Sequence, residues 1–218
     1  ALARCLALRE RLGVQGEADW SALCALLIPL ADPARLARYW QPTGASRRVD
    51  QADGETRLAP TLYEQQFRPG RNPAPSLSWF PPDPAGLAGR DLRDGTAALA
   101  AAFGIPSADL TRLLASPLVL ATVGAAGLDT AASLPNLARL QRHAWMIARL
   151  RLDADDWLRA LDLFDADPFR SAAALGDFVT TLDQALGSGL ALAELDWLTR
   201  HRGTPAAGAD SAADTALL

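Results

Sequence analysis

The sequence predicts an all-α protein: a helical bundle or array of helix pairs with a Pro-rich irregular excursion in the middle. Three observations carry this. Of 218 residues, 45 are Ala and 38 Leu against 5 Val and 3 Ile, so helix formers abound and the β-branched residues that pleated strands favour are scarce. Half the residues are apolar, enough for a sizeable core and too many for intrinsic disorder. Apolar residues recur at spacings of three and four on both sides of a stretch holding eight of the 15 prolines, the pattern of amphipathic helices interrupted by non-helical chain.

Residues 1–40 read as a helical segment of three helices. Leu2, Cys5, Leu8 and Leu12 make the first stripe, and Gly13 is placed to close it. The stripe starts so early that the chain reads as an excised piece of a longer one, with no secretory signal pattern at its start. Asp19 begins the second helix, carrying Trp20, Leu23, Leu27 and Leu30 inward, and the pair Asp32-Pro33 starts the third. Asp accepts from the orphan N–H groups of a first turn, and Pro at the first helical position loses nothing by lacking its own.

Residues 41–95 are the Pro-rich excursion. Its one helical piece is TLYEQQF, Thr61–Phe67, and it is expected to pack on the helices, because Tyr63, Phe67, Trp79 and Phe80 would be wasted in a flexible linker. Helical patterning returns over residues 96–203, with Ser107, Asp153 and Asp167 as expected caps and Gly104, Gly187 and Gly203 near expected helix ends. Its most apolar run, Leu113–Leu128, is shorter than the roughly 20 residues a membrane span needs and reads as a buried helix pair. Residues 204–218 read as a linker or frayed tail.

A short pattern recurs at the helix starts. Ile105, Asp109, Leu110 and Leu113 make one copy; Leu152, Asp156, Trp157 and Leu161 another; Leu190, Glu194, Leu195 and Leu198 a third. Val14, Asp19, Trp20 and Leu23 fit with one extra residue. The acid falls in the first turn, where the helix dipole favours negative charge by about 0.3–1 kcal/mol. Separations of 47 and 38 residues between copies are near the period of two-helix repeats, although any amphipathic helix pair yields something similar. The expected core is Trp20, Leu110, Leu137, Leu140, Ile147, Trp157, Leu161, Leu195 and Leu198.

The supply of reactive side chains is thin. There are two His, two Cys and no Lys, and the formal net charge is −4, which argues against an electrostatic nucleic-acid binder and forbids a phosphate loop with its Lys. His143 sits beside Arg139 and Arg142, off the apolar stripe, with no local carboxylate and nucleophile to make it catalytic; a surface or helix-interface role is expected. His201 lies at a helix end, where a cation meets the negative end of the dipole. The acids Asp153, Asp155, Asp156, Asp162, Asp165 and Asp167 lack the alternation and Gly of a calcium loop, so capping and turns account for them. Cys5 and Cys24 are expected as buried thiols, with a disulfide between the first two helices the alternative. Arg139, Arg142, Arg149 and Arg151 read as a solvated or inter-helix face paired with nearby acids. No catalytic residue, cofactor or metal site is expected.

The run Leu134–Phe169 resembles the helical-shell segment of the A component of insecticidal toxin complexes, the Tc toxins. The matching features are Asn136-Leu137, Arg142-His143, the helix end at Leu150 and Leu152, Asp156-Trp157, and the turn Asp167-Pro168-Phe169. LAELDWLTRH, Leu192–His201, and TLYEQQF, Thr61–Phe67, resemble further pieces of that family in the same order. The Pro-rich run Gly70–Gly89 departs from the family's Asn- and Asp-bearing one.

The resemblance implies a structural, non-enzymatic role: an α-helical shell domain of a secreted or cell-surface pentamer that delivers a toxic enzyme into target cells. Its partners would be other domains and subunits of the same complex, with membrane contact only through parts outside this segment and no nucleic acid. The rival reading is a free-standing helical-repeat adaptor binding a protein or peptide.

Overall fold

The computed structural model describes residues 2–41, 48–50, 54, 56–68, 77–121 and 127–201. Among them run eleven α-helices: α1 (Leu2–Arg11), α2 (Gly16–Leu26), α3 (Pro33–Trp40), α4 (Leu62–Phe67), α5 (Thr96–Phe103), α6 (Ser107–Ala115), α7 (Pro117–Leu120), α8 (Leu134–Leu150), α9 (Ala154–Phe164), α10 (Ala172–Gly187) and α11 (Leu192–Arg200). The protein is all-α. One small antiparallel ladder, β1 (Arg48–Asp50) with β2 (Thr56–Leu58), and 3-10 turns at Pro84–Leu87, Leu92–Gly95 and Pro168–Arg170 complete it.

Local chemistry sets most helix boundaries. Asp32 accepts from the Arg35 amide 2.9 Å away, with Pro33 behind it. Thr61 and Glu64 form a reciprocal capping box on α4 (3.0 and 2.6 Å), satisfying two first-turn donors at once. Ser133, Asp153 and Ser171 cap α8, α9 and α10, and Asp167 caps the turn at Pro168. Gly13 and Gly104 take φ of +59° and +67° just beyond α1 and α5, the left-handed stop that costs glycine least. Two starts differ from expectation. Helix α2 begins at Gly16, and Asp19 reaches back to the Gln15 amide (2.9 Å). Helix α6 is preceded by Pro106, whose extended backbone already sets the boundary, so Ser107 is helical and caps nothing.

Helix α8 is the hub. Eleven of its 17 residues are buried, and α2, α3, α5, α6 and α7 pack around it. A second tier links α6 to α9, α9 to α11, and α10 to both α1 and the turn Pro168–Arg170. The Pro-rich stretch contributes aromatic mass: Phe67 stacks on Phe80 at 4.4 Å and on Trp40 at 6.0 Å, and meets Tyr63 and Phe103 at 5.2 and 5.7 Å. The strand ladder was not expected. Its sequence signal is the pair Asp53-Gly54, with Gly54 at φ +81° in the link between the strands, the kind of dipeptide that closes a hairpin.

Of the expected core, Leu110, Leu137, Leu140 and Trp157 are fully buried, and Ile147 and Leu161 nearly so. Leu195 is partly buried against the core. Trp20 and Leu198 are corrections: 43% and 52% exposed, they sit on the surface. The stripe of α2 is used at Leu23, while Trp20 lies outward with the Arg9 guanidinium 6.0 Å from its ring. On α11 the inward residues are Leu192 and Asp196, so the third copy of the recurring pattern leaves Leu190 and Leu198 uncovered. Gly203 and the tail 204–218 lie outside the described residues, as do parts of the excursion and of the run Leu113–Leu128. No helix among the described residues is long and apolar enough to cross a membrane.

Candidate functional site

Helix α8 buries four polar side chains besides its apolar stripe: Asn136, Gln141, Arg142 and His143. Burying a polar group is costly without a partner, so their partners are informative. The Asn136 amide donates to the carbonyls of Asp129 and Ala131 (3.1 and 3.0 Å), pinning the segment ahead of the helix. That segment is also laddered to the turn at Leu92, whose amide donates to the Thr130 carbonyl (2.8 Å). Gln141 finds no hydrogen-bond partner among the described residues.

His143 was expected at a surface or between helices, and it lies between helices. Its Nδ1 accepts from the Trp157 indole N–H at 2.9 Å. Phe169 meets the imidazole edge-on at 5.0 Å and 88°, and Phe178 meets Trp157 at 5.4 Å. Since Nδ1 accepts, the proton of neutral His143 is assigned to Nε2. Burial, reinforced by the positive charges of Arg142 and Arg139, pushes its pKa down to about 3. Bonded to Trp157 and enclosed by the Phe169 ring, neutral His143 holds α8 against α9 and the turn at Pro168.

Arg142 takes the inter-helix alternative of the expected solvated or inter-helix face, bonded to a backbone carbonyl where pairing with a nearby acid was expected. It is 5% exposed, and its Nη2 donates to the Ile28 carbonyl in the link between α2 and α3. Its guanidinium lies 5.7 Å from the Phe169 ring, and its Nε has no hydrogen-bond partner among the described residues. Burial is the main reason its pKa falls to about 10, with the Asp167 charge opposing the fall and that of Arg139 adding to it. Arg149 serves the α2 side of the hub, donating to Asp19 and to the Gly13 carbonyl. Arg151, in the left-handed conformation that ends α8, is exposed.

Between α8 and the α9-to-turn connection lies a recess of about 350 Å³, lined by Arg139, Arg142 and His143 on one side and Asp165, Asp167 and Phe169 on the other. Leu30, Leu118 and Leu161 add apolar wall. No sequence pattern brings these together, because the lining comes from four separate stretches.

Several of the remaining candidates have partners. Asp155 pairs with Arg112 at 2.8 Å and Asp162 with Arg200 at 2.8 Å. Asp109, the acid of the first repeat copy, accepts from the Ala154 amide at the start of α9 (3.2 Å). No cluster of His, Cys, Asp and Glu among the described residues is arranged to hold a metal. His201 is the exposed left-handed residue ending α11, its ring 6.3 Å from that of Trp197. Cys24 corrects the buried-thiol expectation: it is free and exposed, and the side chain of Cys5 lies outside the described residues.

Fold and site together define a helical array wired at a polar-aromatic junction. Comparison with known proteins adds no relative: no protein-family model, curated protein or solved structure matches the chain.

Proposed function

We propose that this chain is a structural α-helical shell domain of a Tc-toxin-like A component, without enzymatic activity of its own. In that reading its work is mechanical, giving rigid inter-domain and inter-subunit support within a pentameric translocation machine.

One observation carries the reading. Three of the motifs behind the resemblance, Arg142-His143, Asp156-Trp157 and Asp167-Pro168-Phe169, converge on one buried junction. Trp157 donates to His143, Phe169 packs edge-on against His143, and Arg142 ties the junction to Ile28. Close-packed aromatics joined by buried hydrogen bonds resist deformation and fix the relative angle of helices, which is what a rigid outer wall asks of its segments.

A second reading, the helical-repeat adaptor, draws on the α10–α11 end, where Leu186, Leu190, Trp197 and Leu198 are exposed by 37–52%. Apolar side chains gathered on one end mark a surface that another protein element covers. Electron microscopy of the full-length protein decides between the two. A five-fold particle with this helical stack in its outer wall supports the shell, whereas a small monomeric protein ending close to Leu218 removes it and leaves the adaptor.

A further inference from the structure

We infer that the recess between α8 and the α9-to-turn connection is a binding site for a free α-amino acid with an apolar side chain. The inference stands apart from the shell reading, since it uses only the charges and shape of this recess.

The α8 part of the recess lining is electrostatically unbalanced. Arg139 and Arg142 are three residues apart on α8, hence on one helix face, and the charge of Arg139 adds to the cost of charging buried Arg142. Among the described residues no carboxylate comes within ion-pair distance of either. Among the described residues, Arg139 has only a long contact to the side-chain carbonyl oxygen of Asn136 (3.4 Å). Arg142 is more extreme: 95% of it is withdrawn from solvent, yet one carbonyl and one aromatic face are its partners, and Nε is left over. A buried guanidinium is ordinarily paired with a carboxylate.

The opposite wall carries the complementary excess. Asp167 acts on Arg142 through space without reaching it. It uses Oδ1 on the Phe169 amide (2.9 Å), which leaves Oδ2 for another donor. Asp165, held at φ +46° at the end of α9, is exposed at the rim. A recess with two cations on one wall and two carboxylates on the other favours a ligand that is itself dipolar. A lone carboxylate would be repelled by the aspartates, and a lone amine by the arginines. An α-amino acid presents its carboxylate to Arg139 and Arg142 and its ammonium to Asp165 and Asp167, while an aliphatic side chain lies along Leu118 and Phe169. The volume of about 350 Å³ falls at the lower end of the roughly 300–1,000 Å³ range of small-molecule sites, suited to a compact ligand.

Titration calorimetry of the full chain with L-leucine tests this, with 4-methylpentanoate (no ammonium) and 3-methylbutylamine (no carboxylate) as paired controls. The expected result is saturable leucine binding, with each control weaker by about tenfold or more. Because Arg142→Gln removes a buried anchor and endangers folding, the variants are Arg139→Gln and Asp165→Asn at the accessible sides. Each is expected to weaken leucine binding about tenfold while leaving the thermal midpoint near that of the parent. Absence of leucine binding at millimolar concentration overturns the inference. So does leucine binding that both variants leave intact, or a 4-methylpentanoate affinity equal to that of leucine.

Discussion

The indole N–H of Trp157 donates to Nδ1 of His143 over 2.9 Å, joining α9 to α8 where both side chains are buried. The bond matters because each partner would be costly alone: a buried acceptor left unpaired costs about 1–3 kcal/mol. Trp157→Phe keeps most of the ring contacts with Phe169 and Phe178 but orphans Nδ1. We expect it to lower unfolding free energy by about 2 kcal/mol, and Trp157→Ala by about 3–5 kcal/mol through the added cavity. Urea titrations of both variants check this; equal costs for the two would mean that packing alone matters there.

Burial of the same imidazole, reinforced by the charges of Arg142 and Arg139, makes stability depend on pH in a predictable direction. His143 has its pKa depressed from 6.5 to about 3 in the folded state. Above pH 6.5 both states are neutral and the term is absent; as pH falls below it, the unfolded chain takes up a proton that the folded chain refuses. Stability is therefore lost progressively from about pH 6.5 down toward pH 3, at up to about 1.4 kcal/mol per pH unit. Between pH 6.5 and 5 few carboxylates titrate, so the slope there belongs mainly to histidine. His143→Asn offers an acceptor without the titration and should flatten that slope. Parallel slopes for parent and variant would place the protonation elsewhere.

Trp20 and Trp157 show how far the sequence could be read. Both follow an acid near a helix start and fall on an expected apolar stripe, yet Trp157 is enclosed and Trp20 is 43% exposed. Helical spacing tells which face is apolar; which part of that face a neighbour covers depends on distant chain, here the Phe169 turn and α10 over Trp157. Helices, caps and the aromatic use of the excursion follow from local chemistry and were legible. The strand ladder was hidden because three-residue strands carry almost no period. The recess was hidden more deeply, since its lining comes from four separate stretches and only the fold sets Arg142 against Ile28 and Phe169. We expect Trp20→Ala to cost under about 1 kcal/mol, well below the cost at Trp157, as thermal unfolding would show.

Two glycines are expected to respond in opposite senses to alanine. At Gly95 an added Cβ would lie 2.7 Å from two atoms of the Trp79 indole, which is wedged between the turn and the Arg90 side chain. Something must shift, and Gly95→Ala should destabilise by about 1–3 kcal/mol. Gly176, inside α10, has nothing within 4 Å of its added Cβ and no positive φ, so Gly176→Ala should stabilise by about 0.5–1 kcal/mol through helix propensity. Opposite shifts in melting temperature are the check, and a stable Gly95→Ala protein would show that the Trp79 ring is free to move.

Arg149 of α8 and Asp19 of α2 are 130 residues apart in the chain and hydrogen-bonded in the fold. Their side chains are 28% and 25% exposed, so the pair is screened less than a surface bridge and desolvated less than a buried one. Coupling of about 1 kcal/mol is the expected middle ground. Single substitutions will mislead, because Arg149 also donates to the Gly13 carbonyl (3.2 Å) and lies 5.0 Å from the Trp145 ring. Arg149→Gln should therefore cost more than Asp19→Asn, and only a double-mutant cycle isolates the ion pair. Its coupling should shrink as salt is raised. A coupling near zero at low salt would mean that α2 is held to the hub without the ion pair, by its buried residues Leu23 and Leu26 and the arginine bonds to the Gly13 and Ile28 carbonyls.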